Sequence, residues 1–275
     1  QLFGVELPFI WALVFGALIS PTDPVAVLSL LKSVNVPHSL EAKIAGESLF
    51  NDGVGVVVFT ILLAIAVGAS GDQHVDALHV AELFFVEAGG GALLGLFTGW
   101  IAYRAMATMD QYSLEILITL GVVAATYAIA IRLHLSGPIA VVVAGLLVGN
   151  RGACIGMSEQ TRAHLFEFWE LIDEILNSVL FLLIGLEVLI LTFDPSFGWL
   201  AAASIPLVLI GRFIAVSIPV FTLSKFLPFT SGAIPVLTWG GLRGGISVAL
   251  VLSLPDNEYK PAILIATYAV VLFSI

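Results

Sequence analysis

The sequence predicts an all-α polytopic membrane protein, and three observations predict it. The 275 residues are 59% hydrophobic and 11% charged, with a mean hydropathy of +1.09, a composition that belongs to chains of membrane helices and not to a soluble domain. Long apolar runs recur from end to end, separated by short loops. Finally, the stretch Gly46-Glu47-Ser48-Leu49-Phe50-Asn51-Asp52-Gly53-Val54-Gly55 sets two carboxylates, a serine and an asparagine inside one of these runs. A charge at membrane depth costs about 2.5–3.5 kcal/mol even on the gentler insertion scales. Such acids either pair with cations inside a bundle or bind and move an ion.

Nine candidate segments follow in order, near 6–31, 40–68, 79–103, 112–132, 137–150, 172–192, 198–226, 232–254 and 260–275. The first is interrupted by Ile19-Ser20-Pro21-Thr22-Asp23-Pro24, and the second carries the acidic motif. The third holds Glu87 deep inside it. The fourth carries Glu115 near its start, and the fifth is short for a span of about 20 residues, which tilt or a partly re-entrant path accounts for. Ser158–Trp169, charged and amphipathic, is expected at the membrane surface before the sixth segment. The seventh contains Arg212 at mid-span, the eighth is interrupted by Gly240-Gly241-Leu242-Arg243-Gly244-Gly245, and the ninth runs to the last residue. Short loops make residues 1–275 a single membrane transport domain, read as part of a longer protein because it starts at Gln1 and ends inside an apolar run. Helices are expected to be missing at both ends.

Charge sets the orientation. Lys32, Lys43, Arg104, Arg151, Arg162 and Lys225 fall on one side if every segment spans, while Arg132, Lys260 and the acidic loop Asp72–Asp76 fall on the other. The first group is expected to be cytoplasmic. The net charge of −10 argues against nucleic acid as a partner. The single cysteine, Cys154, excludes an internal disulfide.

The two interrupted segments matter most. Proline removes a backbone donor and glycine carries no helix preference. Freed backbone at membrane depth is tolerated only where protein buries it or a polar cavity receives it. A pair of such breaks points to a secondary transporter built from inverted repeats. On a helix over 40–68, Ser48 and Asp52 stack at i,i+4, as do Glu47 and Asn51 in the adjacent row. Asp52 and Ser48 can then share one small hard cation, which takes several oxygen ligands. Backbone carbonyls near Thr22, its hydroxyl, and water held by Asp23 can supply more. Arg212 keeps its charge and needs a buried partner. Either Glu47 pairs with it, leaving Asp52 free to titrate, or the reverse. Asp23 and Arg243, one in each break, are expected to offset the half-helix dipoles that meet where broken helices cross. Glu115, Asp173, Glu174 and Glu187 sit near segment ends, where polar residues are ordinary, and His38, His74, His79, His134 and His164 lie in loops or at ends.

At these residues the chain resembles the monovalent cation/proton antiporters, in the branch of NhaP-type and eukaryotic sodium/proton exchangers. The matching pieces are Thr22-Asp23-Pro24, Glu47-Ser48-Leu49-Phe50-Asn51-Asp52-Gly53, Arg212, and Gly240-Gly241-Leu242-Arg243-Gly244-Gly245-Ile246-Ser247, spread in order over nearly the whole chain. The resemblance implies an antiporter fold with inverted repeats and two crossing broken helices, with a scaffold that holds a homodimer. It implies that Asp52 binds Na+ (or Li+) or a proton in competition, that Ser48, Thr22 and Asn51 complete the site, and that Glu47 pairs with Arg212. Asn51-Asp52, where another branch has two aspartates, marks exchangers described as electroneutral. The expected function is therefore Na+/H+ exchange by alternating access in a bacterial plasma membrane, with no cofactor and with cations, protons and the bilayer as partners. A K+/H+ exchanger of the same fold is the alternative. A cation channel is disfavoured because no Thr-Val-Gly-Tyr-Gly-like filter is present, and an enzyme because no Gly-x-Ser-x-Gly or His-Glu-x-x-His motif is present. The helices that the family places before Thr22-Asp23-Pro24 are absent, so their ligands and dimer contacts are unassigned.

Overall fold

The computed structural model describes residues 7–24, 27, 38–68, 77–108, 111–150, 158–190, 198–224 and 232–274. Lys32, Arg151, Lys225, Cys154, the loop Asp72–Asp76 and His74 lie outside them, as does the first segment beyond Pro24 except Val27. The side chains of His38 and His79 are likewise outside the described ones. Among the described residues all regular structure is helical, which is the predicted all-α class. Among the described residues, four stretches are long and apolar enough to cross a membrane: Glu41–Gly68, Ala81–Met106, Tyr112–Arg132 and Gly198–Leu223. Two compact units divide the chain, one of Gln1–Gly71 with Ile184–Ile275 and one of Asp72–Leu183.

The first unit begins with α1 (Phe9–Leu18). It stops because Pro21 and Pro24 follow: the residue before a proline disfavours the α region, and proline supplies no N–H. The last turn tightens, with Ser20 N–H donating to Ala17 O at 3.1 Å, and residues 20–24 then run without helix. α2 (His38–Gly68) carries the acidic motif in a continuous 31-residue helix. It approaches the break closely at Gly55, where a Cβ would meet Pro21 Cγ at 3.1 Å. α7 (Gly198–Leu223) holds Arg212 and absorbs Pro206 and Pro219 without ending. α8 (Ala233–Trp239) and α9 (Gly245–Leu252) are the two halves of the eighth segment, parted at Gly240–Gly244, and α10 (Lys260–Ser274) closes the chain. Trp11, Val14 and Leu18 of α1 pack with Phe59 of α2, Val251 of α9 and Ile263 and Val270 of α10 as one apolar core. A smaller cluster of Val27, Ile44, Val216, Ala233 and Leu237 binds α2, α7 and α8 together.

The second unit packs α3 (Ala77–Met106), α4 (Tyr112–Arg132), α5 (Gly137–Leu147) and the early part of α6 (Glu159–Ile190). α6 is one unbroken 32-residue helix, so Glu159–Trp169 runs on into the sixth segment without a break. The reason is local: no glycine or proline occurs between Glu159 and Ile184. Ser136 caps α5, its Oγ accepting from Ile139 N–H at 3.3 Å. Thr126 donates to Thr98 at 2.8 Å and Trp169 Nε1 to Thr119 at 3.2 Å, so hydroxyls are satisfied between helices.

Gly91, Gly95 and Gly99 form one stripe of α3, and α5 lies directly on it. A Cβ at Gly95 would lie 2.9 Å from the Ala140 carbonyl carbon and one at Gly99 2.9 Å from Ala144 Cα. Backbone meets backbone there, so nothing can move aside cheaply. Gly95→Ala is expected to destabilise the protein by about 1–3 kcal/mol through overpacking. Gly121→Ala, on α4 where a Cβ meets nothing within 4 Å, is expected to be neutral or slightly stabilising because alanine favours helix. Thermal unfolding of the two purified variants in detergent checks this; equal midpoints would contradict it.

Candidate functional site

The two breaks of the first unit are bonded to each other. Asp23 N–H donates to Leu242 O at 2.8 Å. In return Arg243 Nη1 donates to Ser20 O and, at 3.2 Å, to Pro21 O. Backbone groups released by the prolines and glycines thus find partners across the junction, as groups at membrane depth must. Arg243 is buried at the carbonyls that follow α1. The Asp23 carboxylate lies against Gly244, the N-cap of α9, where a Cβ would collide with it. A base at the carbonyl end of α1 and an acid at the amide end of α9 both have the sign that helix dipoles favour.

Arg212 pairs with Glu47, not Asp52. Its Nη1 and Nη2 reach the two carboxylate oxygens, the second at 3.0 Å, in a forked pair. Its remaining donors turn to the Leu237 carbonyl at the end of α8, Nη2 at 2.7 Å and Nε at 3.3 Å. The guanidinium occupies the space that a side chain at Gly241 would need, so this glycine makes room for it.

With Arg212 committed, Asp52 has no cationic side-chain partner by hydrogen bond or ion pair among the described residues. Its Oδ1 accepts from Thr22 N–H at 3.2 Å. Thr22 and Ser48 are buried with their hydroxyl oxygens 3.0 Å apart. Asn51 Nδ2 donates to Ser20 O at 2.6 Å and reaches Thr22 Oγ1 at 3.5 Å, while Ser20 Oγ donates to Asn51 Oδ1 at 3.1 Å. The structure therefore gathers Thr22, Ser48, Asn51 and Asp52 into one cluster, with Glu47–Arg212 beside it and Asp23 and Arg243 at the junction. A carboxylate and two hydroxyls at this spacing offer oxygen ligands of the kind that alkali cations take. A cavity of about 490 Å3 reaches the cluster from the side of Ser20, Glu47, Asn51, Arg212 and Arg243.

Ser20 is the member of the cluster that the sequence did not single out. It carries no charge, and its only signal is its place two residues before Thr22 in the broken stretch. Glu115 also differs from expectation. It lies in the first turn of α4 yet is 0% exposed, because it belongs to the face of Thr119, Thr126 and Ala130 turned into the second unit. Glu87 is half-buried on α3, where its carbonyl accepts from Ser136 N–H at 3.1 Å. Asp173, Glu174, His134 and His164 are exposed and Glu187 is half-buried.

These features define an all-α, multi-pass integral membrane protein in which two interrupted helices are fastened together beside a carboxylate. The chain belongs to the family of transmembrane sodium/hydrogen exchangers, whose profile matches residues 1–275. It is 48% identical over 283 residues to the Na(+)/H(+) antiporter NhaP of Pseudomonas aeruginosa, an alignment covering 100% of this chain and 65% of that protein. It is 39% identical over 280 residues to the Na(+)/H(+) antiporter NhaH of Halobacillus aidingensis, covering 99% of this chain and 67% of the relative. The Na(+)/H(+) antiporter NhaG of Bacillus atrophaeus is 39% identical over 272 residues, covering 96% of this chain and 50% of its own length. The chain thus spans between half and about two thirds of these relatives.

Proposed function

We infer that the full-length protein exchanges Na+ (or Li+) for H+ by alternating access, with cation and proton competing for Asp52. The observation that carries this reading is the division of labour between the two acids of α2. Glu47 takes the buried arginine, so Asp52 is left to meet Thr22 at the break, where the Thr22 hydroxyl lies against that of Ser48. A carboxylate freed of a permanent cationic partner can give up a proton and take a metal ion. One carboxylate cannot hold both well, and that exclusion alone couples the two flows. Asp52, Ser48 and Thr22 are the oxygen ligands proposed for the transported Na+, with Asn51 beside them. Membership of the exchanger family and the relatives' names as Na(+)/H(+) antiporters support Na+ and H+ as the substrates. Bacterial relatives support a plasma membrane location. A homodimer, electroneutral exchange and inverted repeats belong to the same proposal.

The test is made on the full-length parent protein in proteoliposomes with a pH dye inside. An imposed pH gradient should collapse on adding Na+ or Li+. Collapse with K+ alone would move the reading to K+/H+ exchange, and cation flux without proton movement would overturn exchange altogether. Competition also sets the sign of the pH dependence. As pH falls, protons occupy Asp52 and the apparent KM for Na+ should rise, approaching about tenfold per pH unit where the proton dominates. A KM that fell on acidification would contradict competition.

A further inference from the structure

The unwound stretch is fastened at a residue without charge. Ser20 Oγ donates to Asn51 Oδ1 at 3.1 Å while Asn51 Nδ2 donates back to Ser20 O at 2.6 Å, closing a ring between the break and α2. The same Ser20 carbonyl accepts from Arg243 Nη1, which brings the second break into the junction. Both polar ends of the Asn51 amide are engaged in this way, and its second reach is to Thr22 Oγ1 at 3.5 Å. Ser20 and Asn51 line the cavity of about 490 Å3, on the side of Glu47 and Arg212. Only Pro21 separates Ser20 from Thr22, and proline fixes its own φ. The placement of Ser20 therefore governs where Thr22 lands, and Thr22 supplies both the N–H that meets Asp52 Oδ1 at 3.2 Å and the hydroxyl 3.0 Å from Ser48 Oγ.

We propose that Ser20 is a positioning residue for the cation site: with Asn51 it clamps the unwound stretch in register with α2, and so sets the spacing of Thr22, Ser48 and Asp52 around an alkali cation. The inference rests on the exchange reading above. Asn51 works through this clamp and not as a ligand. Alkali ions differ in the oxygen spacing they accept, so a loosened clamp changes affinity and ion preference before it changes the turnover of a loaded site.

The full-length protein in proteoliposomes tests this with Ser20→Ala, Ser20→Thr and Asp52→Asn beside the parent. Ser20→Ala should raise the KM for Na+ roughly five- to tenfold, the factor one hydrogen bond is worth, and shift the Li+/Na+ preference, with the maximal rate kept. Ser20→Thr, which restores the hydroxyl, should return both to the parent values. A purely structural role would lower the melting temperature and the amount of active protein and leave KM and ion preference alone, and that result overturns the proposal. If Ser20→Ala does not reach the membrane, Ser20→Cys, with its weaker donor, is read by the same two quantities. Exchange retained in Asp52→Asn would overturn the underlying reading; exchange lost there with an unshifted Ser20→Ala would overturn the clamp alone.

Discussion

Asp52→Asn in the full-length protein abolishes cation-dependent proton movement while the protein still folds and inserts. Asparagine is nearly isosteric with aspartate, and its side-chain carbonyl can still accept from Thr22 N–H, the bond that Asp52 Oδ1 makes at 3.2 Å. The junction between the breaks does not pass through this residue. It runs through Asp23 N–H to Leu242 O and through Arg243 to the Ser20 and Pro21 carbonyls. What the substitution removes is the titratable negative charge. Neither proton release nor charge neutralisation of a bound Na+ is then possible at this position. Gradient collapse should fall to the level of empty vesicles, with the melting temperature near that of the parent. Residual exchange would take Asp52 out of the mechanism.

The second large effect is on stability. Glu47→Ala should destabilise the protein more than Asp52→Ala. Glu47 is the carboxylate that answers the Arg212 guanidinium, which is 8% exposed against 35% for its partner. Removing one partner strands a charge that stays ionised. Breaking a buried pair costs about 3–5 kcal/mol, and the partial exposure of Glu47 puts the expectation near the lower end. Leu237 O still accepts from Arg212, yet a neutral carbonyl offsets only part of the lost charge. Asp52→Ala, by contrast, costs one backbone hydrogen bond from Thr22, about 1 kcal/mol. Thermal unfolding in detergent ranks the two. Equal midpoints would mean that the pair adds little to the folded state.

Much of this site was legible because its chemistry is local. Helical spacing sets Ser48 and Asp52 in one row and Glu47 and Asn51 in the next, and α2 carries all four in one continuous helix. The prolines at 21 and 24 and the glycines from 240 to 245 mark the breaks by what their backbones lack. Which acid takes Arg212 was not legible from spacing, although the family resemblance pointed to Glu47, the partner it has. Spacing along α2 makes both available, and the choice rests on the Leu237 carbonyl of α8 and the room left at Gly241 in the break that follows it. Ser20 was missed for a related reason: its place before Thr22 is its only signal, and its partner on α2 appears only in the fold. Glu115 shows the limit of position along a segment, since a first-turn acid is exposed or buried according to the face it shares, here with Thr119 and Thr126.

The central claim is that Na+ and a proton exclude each other at one carboxylate. Proton release on Na+ binding to the purified full-length protein tests it most directly, read with a pH dye in weakly buffered detergent solution and repeated on Asp52→Asn. The account predicts that Na+ displaces protons from the parent protein, with the yield falling as pH rises and Asp52 is already deprotonated, and that the variant releases none. Saturable Na+ binding to the parent with no proton released at any pH would contradict it.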